Sequence, residues 1–337
     1  MNTNKIDVHH HIFPPEYLAA LKRMGSKQEG GGVPFPEWSV DKDIEMMDRF
    51  GIRTAIASIG SPGVWFGDAA AARDLARLCN EYFAGVVREH PTRFGVFACL
   101  PLPDVGSALA EAVYALDTLQ CDGINLLASV ADRFLGDPDF EELMQELNRR
   151  KTVVFVHPNV HSTSKKLGLE FPEALFEFIA DTTRAVLNLA LSGTLERYPD
   201  IRWIFSHAGG AIPALAWRWT MADHDPHFSQ RVPKGVLTYL RRLYYDTAVS
   251  PSPHALKPVL DLAGPAQLAF GSDYPYLPPP LVAAEVEGLE RLDVFDAATR
   301  PMMEETNALA LFPRLAPASA SALPKTSPTS TTRRISA

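Results

Sequence analysis

The sequence has few of the features that mark secreted, membrane or nucleic-acid-binding chains. Only three cysteines occur, Cys79, Cys99 and Cys121, and their wide spacing fits neither a disulfide framework nor a cysteine metal site. No apolar run is long enough to cross a bilayer, and the first residues lack the layout of a signal peptide. Acidic residues outnumber basic ones, 40 to 32, and the net charge of −8 disfavours nucleic acid. We therefore expect a cytoplasmic protein with reduced thiols and neither membrane nor nucleic-acid partners.

Short β-rich runs alternate with longer helical stretches, and a hydrophobic fraction of 46% is enough for a sizeable core. We predict eight strands, mostly apolar as expected where both faces are buried, at 6–9, 54–58, 94–98, 123–127, 152–157, 202–207, 243–246 and 267–271. Helices are predicted at 41–50, 69–89, 106–118, 138–149, 172–197, 212–222, 233–240, 253–262, 281–291 and 296–311. This order indicates an α/β fold, a (β/α)₈ TIM barrel with right-handed crossovers.

The predicted barrel occupies residues 1–315 as one domain. Residues 14–38, which include the glycine run 30–32, predict a loop or lid inserted after the first strand. Residues 316–337 are rich in Ser, Thr, Ala and Pro, and we expect a disordered tail there. An open doubly wound sheet is the alternative, but it requires a Gly-rich phosphate turn that the first hundred residues lack.

The first predicted strand ends in the run Asp7-Val8-His9-His10-His11. Because side chains alternate along a strand, His9 and His11 are expected on one face and His10 on the other. Two imidazoles on the same face at the C-terminal end of a barrel strand can chelate one cation. A bare His-x-His also occurs in many surface turns, so the pair alone indicates a metal only weakly.

Three later strands also end in a side chain that can bind a metal or move a proton. The run 153–156 is followed by His157 and a proline, and 203–206 is followed by His207 and two glycines. The last apolar run ends at Gly271-Ser272-Asp273. Each polar group falls where a barrel has its active site, so the four strand exits together favour one shared site.

These segments resemble the amidohydrolase superfamily, and within it the branch that contains aminocarboxymuconate-semialdehyde decarboxylase. The resemblance runs from about residue 5 to residue 314. Its motifs stand in the expected order: the His-x-His of the first strand, His157-Pro158, Ser206-His207-Ala208-Gly209-Gly210, Gly271-Ser272-Asp273-Tyr274-Pro275 and Glu305-Thr306-Asn307-Ala308-Leu309. As a set they are specific for the branch and much less specific for one reaction.

The resemblance implies that His9, His11, His157 and Asp273 are metal ligands. His207 then matches the histidine that acts at the metal-bound water or the substrate. The run 152–157 has no lysine at its end that could bridge two metals, so the resemblance implies a single divalent ion. Three imidazoles and one carboxylate suit Zn²⁺, and Mn²⁺ is also possible.

Three further polar residues lie near these motifs. His10 is expected to support the ligands or to pack, since it faces away from the His9–His11 pair. Asp7 should share the face of His9 one step deeper, where it orients an imidazole or pairs within the barrel. His161 lies just past the fifth strand in a polar loop, where it either contacts substrate or is a surface residue.

The resemblance implies a carboxy-lyase that decarboxylates a hydroxylated aromatic acid of the salicylate type without oxidation. The metal would hold the substrate carboxylate and its neighbouring oxygen, and His207 or Asp273 would protonate the ring carbon. The alternative is a hydrolase of an ester, lactone or amide that uses a metal-bound hydroxide, with His207 as general base. A third reading is an inactive scaffold, which four intact ligands disfavour.

Aromatic residues near the expected mouth fit a flat substrate. Trp65 and Tyr276 are the candidates for contact with the ring, and Arg218 could neutralise its carboxylate. The same residues could instead lie in the core or at an interface, and an interface role for Arg218 resembles its use in dimeric relatives. The resemblance also implies a homodimer.

Overall fold

The computed structural model, which describes residues 4–25, 32–168 and 170–317, contains an eight-stranded parallel sheet. Its strands are β1 (Lys5–His11), β2 (Ile52–Ser58), β3 (Phe94–Cys99), β4 (Gly123–Leu127), β7 (Val153–His157), β8 (Arg202–Phe205), β9 (Tyr244–Asp246) and β10 (Leu268–Ala269). They pair in this order. A short antiparallel hairpin, β5 (Ser129–Val130) with β6 (Arg133–Phe134), is inserted after β4.

Backbone hydrogen bonds between the first strand and the segment after the last one close the barrel. The Val8 amide donates to the Phe270 carbonyl at 2.9 Å, and the His11 amide donates to the Tyr274 carbonyl at 2.7 Å. The predicted (β/α)₈ barrel is therefore confirmed. The closure also brings the segment that carries Asp273 against the end of β1.

The helices that surround the barrel follow the predicted order. They are α1 (Pro15–Arg23), α2 (Val40–Phe50), α3 (Ala69–Glu89), α4 (Val105–Val113), α5 (Glu141–Arg149), α6 (Glu177–Leu191), α7 (Thr194–Arg197), α8 (Ile212–Trp219), α9 (Pro226–Ser229), α10 (Val236–Leu240), α11 (Pro253–Ala263), α12 (Pro279–Arg291), α13 (Thr299–Pro301) and α14 (Asn307–Leu311). The helix predicted at 172–197 is divided, because Gly193 adopts a φ of 79° between α6 and α7. Across the described ranges, none of the helices combines the length and apolarity needed to cross a bilayer.

Part of the loop predicted at 14–38 is a helix. Helix α1 begins with a proline at its first position, which suits a helix start, and it buries Tyr17 and Leu21 one turn apart. The prediction of a loop is therefore wrong for residues 15–23, which form this helix. Residues 26–31 of the predicted loop and residues 318–337 of the predicted tail lie outside the described residues.

The barrel interior is filled with apolar side chains and closed at its N-terminal end. Phe97 and Phe155 stack with their ring centroids 5.3 Å apart, and Phe312 contacts Phe97 edge-on at 5.7 Å. Leu311 from α14 joins the same buried cluster. Because this end is packed, a ligand can approach only the opposite end, where the strand exits lie.

A buried aspartate on α6 holds the segment that follows β7. Asp181 accepts a hydrogen bond from the Ser129 hydroxyl at 2.8 Å and from the Asn159 amide at 2.8 Å. The Asn159 side chain in turn donates to the Ser129 carbonyl at 3.1 Å. These contacts fix the backbone directly after His157.

Burial raises the pKa of Asp181 to about 6, although the hydrogen bonds from Asn159 and Ser129 oppose the shift. The folded state therefore binds this proton more tightly than the unfolded chain does. As a result, the contribution of Asp181 to the free energy of unfolding falls as the pH rises from about 4 to about 6. We expect Asp181→Asn to remove this loss. The free energy of unfolding of the variant, relative to that of the wild type, should therefore rise by at most roughly 3 kcal/mol between pH 4 and pH 7.

Urea unfolding of both proteins across this pH range measures the effect. The variant Asp261→Asn, which removes an exposed carboxylate of an ion pair with Lys257, is the matched control and should lack the relative gain. A constant difference between Asp181→Asn and the wild type at every pH would contradict the prediction.

Candidate metal centre

Three imidazoles and one carboxylate converge at the C-terminal end of the barrel. One ligand atom from each of His9, His11, His157 and Asp273 lies within 4.8 Å of all the others. The Nε2 atoms of His9 and His11 are 3.2 Å apart, and Asp273 Oδ1 lies 3.2 Å and 3.0 Å from them. The structure thus brings together the four residues that the sequence predicts as ligands.

A bulge in β1 aims these histidines. The pairing of β1 with β2 shifts register between Asp7 and His10, which disturbs the simple alternation of side chains. His9 and His11 contact each other edge-on with ring centroids 5.0 Å apart, as predicted. Asp7, however, shares the side of His10, whose Nδ1 lies 3.2 Å from Asp7 Oδ2. The expectation that Asp7 shares the face of His9 is wrong because of the bulge.

His10 joins β1 to the elements behind it. It lies between Asp7 Oδ2 at 3.2 Å and Asp43 Oδ2 at 3.1 Å, and all three side chains are fully buried. Burial lowers the pKa of His10, but Asp43 and Asp7 outweigh it and raise the pKa to about 9. Trp38 also donates to Asp43, at 2.8 Å. His10 therefore supports the ligand strand from behind.

The Nδ1 atoms of the three ligand histidines already have partners. His9 Nδ1 donates to Asp246 Oδ2 at 2.8 Å, and His157 Nδ1 donates to the carbonyl of the next residue at 2.8 Å. His11 Nδ1 lies 3.3 Å from a backbone carbonyl of β2. The Nε2 atoms are left to face one another and the carboxylate. A cation between them satisfies such a donor set, so these residues fit a divalent metal.

The three ligand histidines differ in how strongly their surroundings favour the protonated form. Burial lowers the pKa of His9, but the carboxylates Asp246 and Asp273 outweigh it and raise the pKa to about 10. Burial lowers the pKa of His11 and of His157. Burial also raises the pKa of Asp273, but His9, His11 and His207 hold it well below its usual range. A metal and a proton compete for the same atoms here.

Asp246 is a functional residue that the sequence reasoning missed. Besides His9, its carboxylate accepts the backbone amides of His207 at 2.8 Å and Ala248 at 3.0 Å. It therefore fixes both a predicted ligand and the turn that carries His207. Its position could have identified it, because Asp246 is the last residue of the strand predicted at 243–246 and the other site residues also lie at the ends of strands.

His207 lies beside the ligand group on a strained turn. Its Nε2 is 3.4 Å from Asp273 Oδ2, and within the described part of the chain its buried Nδ1 has no hydrogen-bond partner. His207, Ala208 and Asp273 all have φ near +55°, a region that non-glycine residues rarely adopt. A Cβ on Gly209 would lie 2.5 Å from the Tyr245 ring, so this turn requires glycine.

A cavity of about 410 Å³ opens beside the ligand group. His157, His207 and Asp273 form its polar end. The remaining lining is mostly apolar and comprises Val33, Ala174, Leu175, Phe178, Ile179, Val249, Ser250, Tyr276, Leu277 and Leu281. The Phe178 ring contacts His157 edge-on, with centroids 5.7 Å apart. A small, largely apolar molecule with one polar end fits this space.

One of the three predicted substrate residues lines this cavity. The Tyr276 ring contacts His11 edge-on at 5.1 Å, and its hydroxyl donates to the Ser61 carbonyl at 3.2 Å. Trp65 instead lies beside Leu102 and Asn125 in a separate, smaller cavity. His161 stacks on Phe134 at 5.1 Å and does not line the cavity.

Arg218 also lies outside the cavity. Trp219 is buried and fixes the orientation of α8, so Arg218 and Trp217 project to solvent, with Trp217 80% exposed. The preceding residue on a helix points about 100° away from a buried neighbour. The geometry therefore brings neither Trp65 to the predicted position beside the substrate ring nor Arg218 to the predicted position beside its carboxylate.

Comparison with known proteins places these features in one family. The amidohydrolase family profile matches residues 6–314. The 6-methylsalicylic acid decarboxylase of Penicillium expansum is 34% identical over 316 residues, with 92% of this chain and 97% of that protein covered. A crystal structure described as an amidohydrolase II has a TM-score of 0.86 at 29% identity and covers 91% of this chain and 99% of that one. A dihydroxybenzoic acid decarboxylase from Polaromonas sp. JS666 has a TM-score of 0.77 at 22% identity, over 93% and 97% of the two chains.

Removal of one ligand should remove the metal. We expect His157→Ala to lose most of its bound metal, because two imidazoles and a carboxylate hold a divalent ion far more weakly than the complete set. Elemental analysis of the purified variant measures this. His161→Ala, a nearby histidine outside the cluster, should retain wild-type metal content, and full metal retention by His157→Ala would refute the ligand assignment.

Loss of the Asp246 carboxylate should weaken metal binding without removing a ligand. Asp246→Asn leaves His9 without an anionic partner at Nδ1, and such partners typically contribute about 10- to 100-fold in metal affinity. Competition with a chelator measures the dissociation constant. An affinity equal to that of the wild type would show that Asp246 does not act through His9.

Proposed function

The chain belongs to the amidohydrolase family, and we propose that it is a metal-dependent decarboxylase of a salicylate-type hydroxylated aromatic acid. The observation that carries the proposal is the group of three imidazoles and one carboxylate facing an apolar cavity. The named activity of the Penicillium expansum relative supports the same reaction. The enzyme is a carboxy-lyase that releases CO₂ without an oxidant.

One divalent metal held by His9, His11, His157 and Asp273 is part of the proposal. Three imidazoles and one carboxylate suit Zn²⁺. Mn²⁺ is the second candidate, because the Polaromonas decarboxylase structure contains bound manganese. When bound, the metal acts as a Lewis acid and template for the substrate carboxylate and the adjacent hydroxyl.

The two carboxylate oxygens of Asp273 face different partners. Oδ1 faces the Nε2 atoms of His9 and His11, whereas Oδ2 lies 3.4 Å from His207 Nε2. His207 and Asp273 can therefore share a proton at the polar end of the cavity. In the proposed reaction they deliver it to the ring carbon that bears the carboxylate, and departure of CO₂ restores the aromatic ring.

The apolar lining supports decarboxylation by its effect on the substrate. Phe178 and Ile179 surround the space next to His207 and keep water from the ring. A carboxylate that gives up negative charge as CO₂ leaves benefits from such a poorly solvated site.

We further propose a cytoplasmic homodimer. The exposed apolar side chains Trp217 and Met221, which are 80% and 70% exposed, support the association of two copies.

A side-by-side activity assay tests the function. Enzyme loaded with Zn²⁺ or Mn²⁺ should release CO₂ and a phenol from salicylate-type acids and should leave simple esters and lactones intact. His207→Gln should lower kcat about 10²- to 10⁴-fold, the usual contribution of a positioned acid, with metal content unchanged. Lactone or ester opening without any CO₂ would reject decarboxylation in favour of hydrolysis.

A further inference from the structure

The cavity beside the ligand group continues well beyond the space that a single ring needs. Its volume of about 410 Å³ falls in the range of sites that enclose drug-sized ligands. A one-ring acid with its carboxylate at His157 and Asp273 is smaller than such ligands. Much of the space towards the mouth then lies beyond the ring.

Three aliphatic side chains from different elements line this outer part. Leu175 precedes α6, Val249 follows β9, and Leu281 lies on α12. They are 72%, 54% and 52% exposed, respectively. Burial of exposed aliphatic surface is favourable roughly in proportion to area, so this end of the cavity has affinity for an apolar group.

The backbone at Val249 is strained, at the third position of the turn that the Ser250 amide closes onto the Thr247 carbonyl. Its φ is +55°, and a β-branched residue in the left-handed region is a clear outlier. Side chains in such conformations gather at binding and catalytic sites. Here the strained residue presents a half-exposed isopropyl group to the cavity, which favours a role in ligand contact.

The charge of the lining limits what the substituent can be. Among the described residues that line the cavity, there is neither lysine nor arginine. Apart from the histidines and Asp273, its polar side chains are Ser250 and Tyr276. A second carboxylate at this end would lose hydration without gaining a cationic partner. The space therefore disfavours dicarboxylic acids and favours hydrocarbon.

We propose that the substrate is a salicylate that carries a linear alkyl chain longer than methyl, held against Val249, Leu281 and Leu175. This inference rests on the proposed decarboxylation and specifies the substrate class of the same site. The carboxylate and its ortho hydroxyl lie at the ligand group, and the chain runs outward along the aliphatic side chains. Val249 and Leu281 are then residues that determine specificity.

A chain-length series tests the proposal. kcat/KM for CO₂ release is measured with unsubstituted salicylate and with methyl, propyl and pentyl chains at ring position 5 or 6. In at least one series we expect a rise of about fourfold for each added methylene that becomes buried. A salicylate with an additional carboxylate at ring position 5 should react more slowly than any of the alkyl compounds.

Two variants test the residues. Val249→Asn removes the apolar group, and asparagine tolerates the left-handed region better than valine, so the fold is retained. Leu281→Gln changes an exposed helix position to a residue of similar helix propensity. Each should reduce the preference for pentyl over unsubstituted salicylate about tenfold. Val113→Gln, an exposed apolar position on α4, is the matched control and should keep the wild-type preference.

The outcomes separate this inference from the function on which it rests. Decarboxylation of salicylate with flat or falling rates in both alkyl series overturns the alkyl-chain inference and leaves the proposed function intact. A preference for pentyl that survives both variants overturns the assignment of Val249 and Leu281. Release of CO₂ from none of the acids overturns the proposed function together with the inference.

Discussion

The close approach of two imidazole nitrogens to one carboxylate is the constraint around which this end of the barrel is built. His9 and His11 Nε2 lie 3.2 Å apart next to Asp273 Oδ1, an arrangement that needs a proton or a metal ion between these atoms. The bulge in β1 aims the two rings. Asp246 and a backbone carbonyl of β2 form hydrogen bonds with the Nδ1 atoms of His9 and His11. These contacts hold the two rings in their orientation towards Asp273.

Much of this arrangement could be predicted from sequence, because the C-terminal ends of parallel barrel strands meet at one edge. That rule is sufficient to place His9, His11, His157 and Asp273 together. It could not place Asp7, because a bulge is not visible in the local alternation of residues. Asp246 was overlooked because its strand carries no motif. Arg218 and Trp65 were selected by residue type, whereas the burial of neighbouring side chains decides which way each one points.

The two ends of the barrel show opposite physical character. At the N-terminal end, Phe97, Phe155 and Phe312 pack closely, as expected where stability is the only requirement. At the other end, His207, Asp273 and Val249 adopt left-handed backbone conformations, each of which costs about 1–3 kcal/mol. The packed end offsets the strain of the functional end, and the Val249 conformation became visible only with the backbone in place.

The closure of the barrel between β1 and the segment after β10 has a consequence for synthesis on the ribosome. The amides of Val8 and His11 find their acceptors on Phe270 and Tyr274, and the interior is capped by Leu311 and Phe312. An emerging chain therefore leaves one edge of its first strand without these partners until more than 260 further residues have been made. During that interval, chaperones or transient contacts must shield the strand from aggregation.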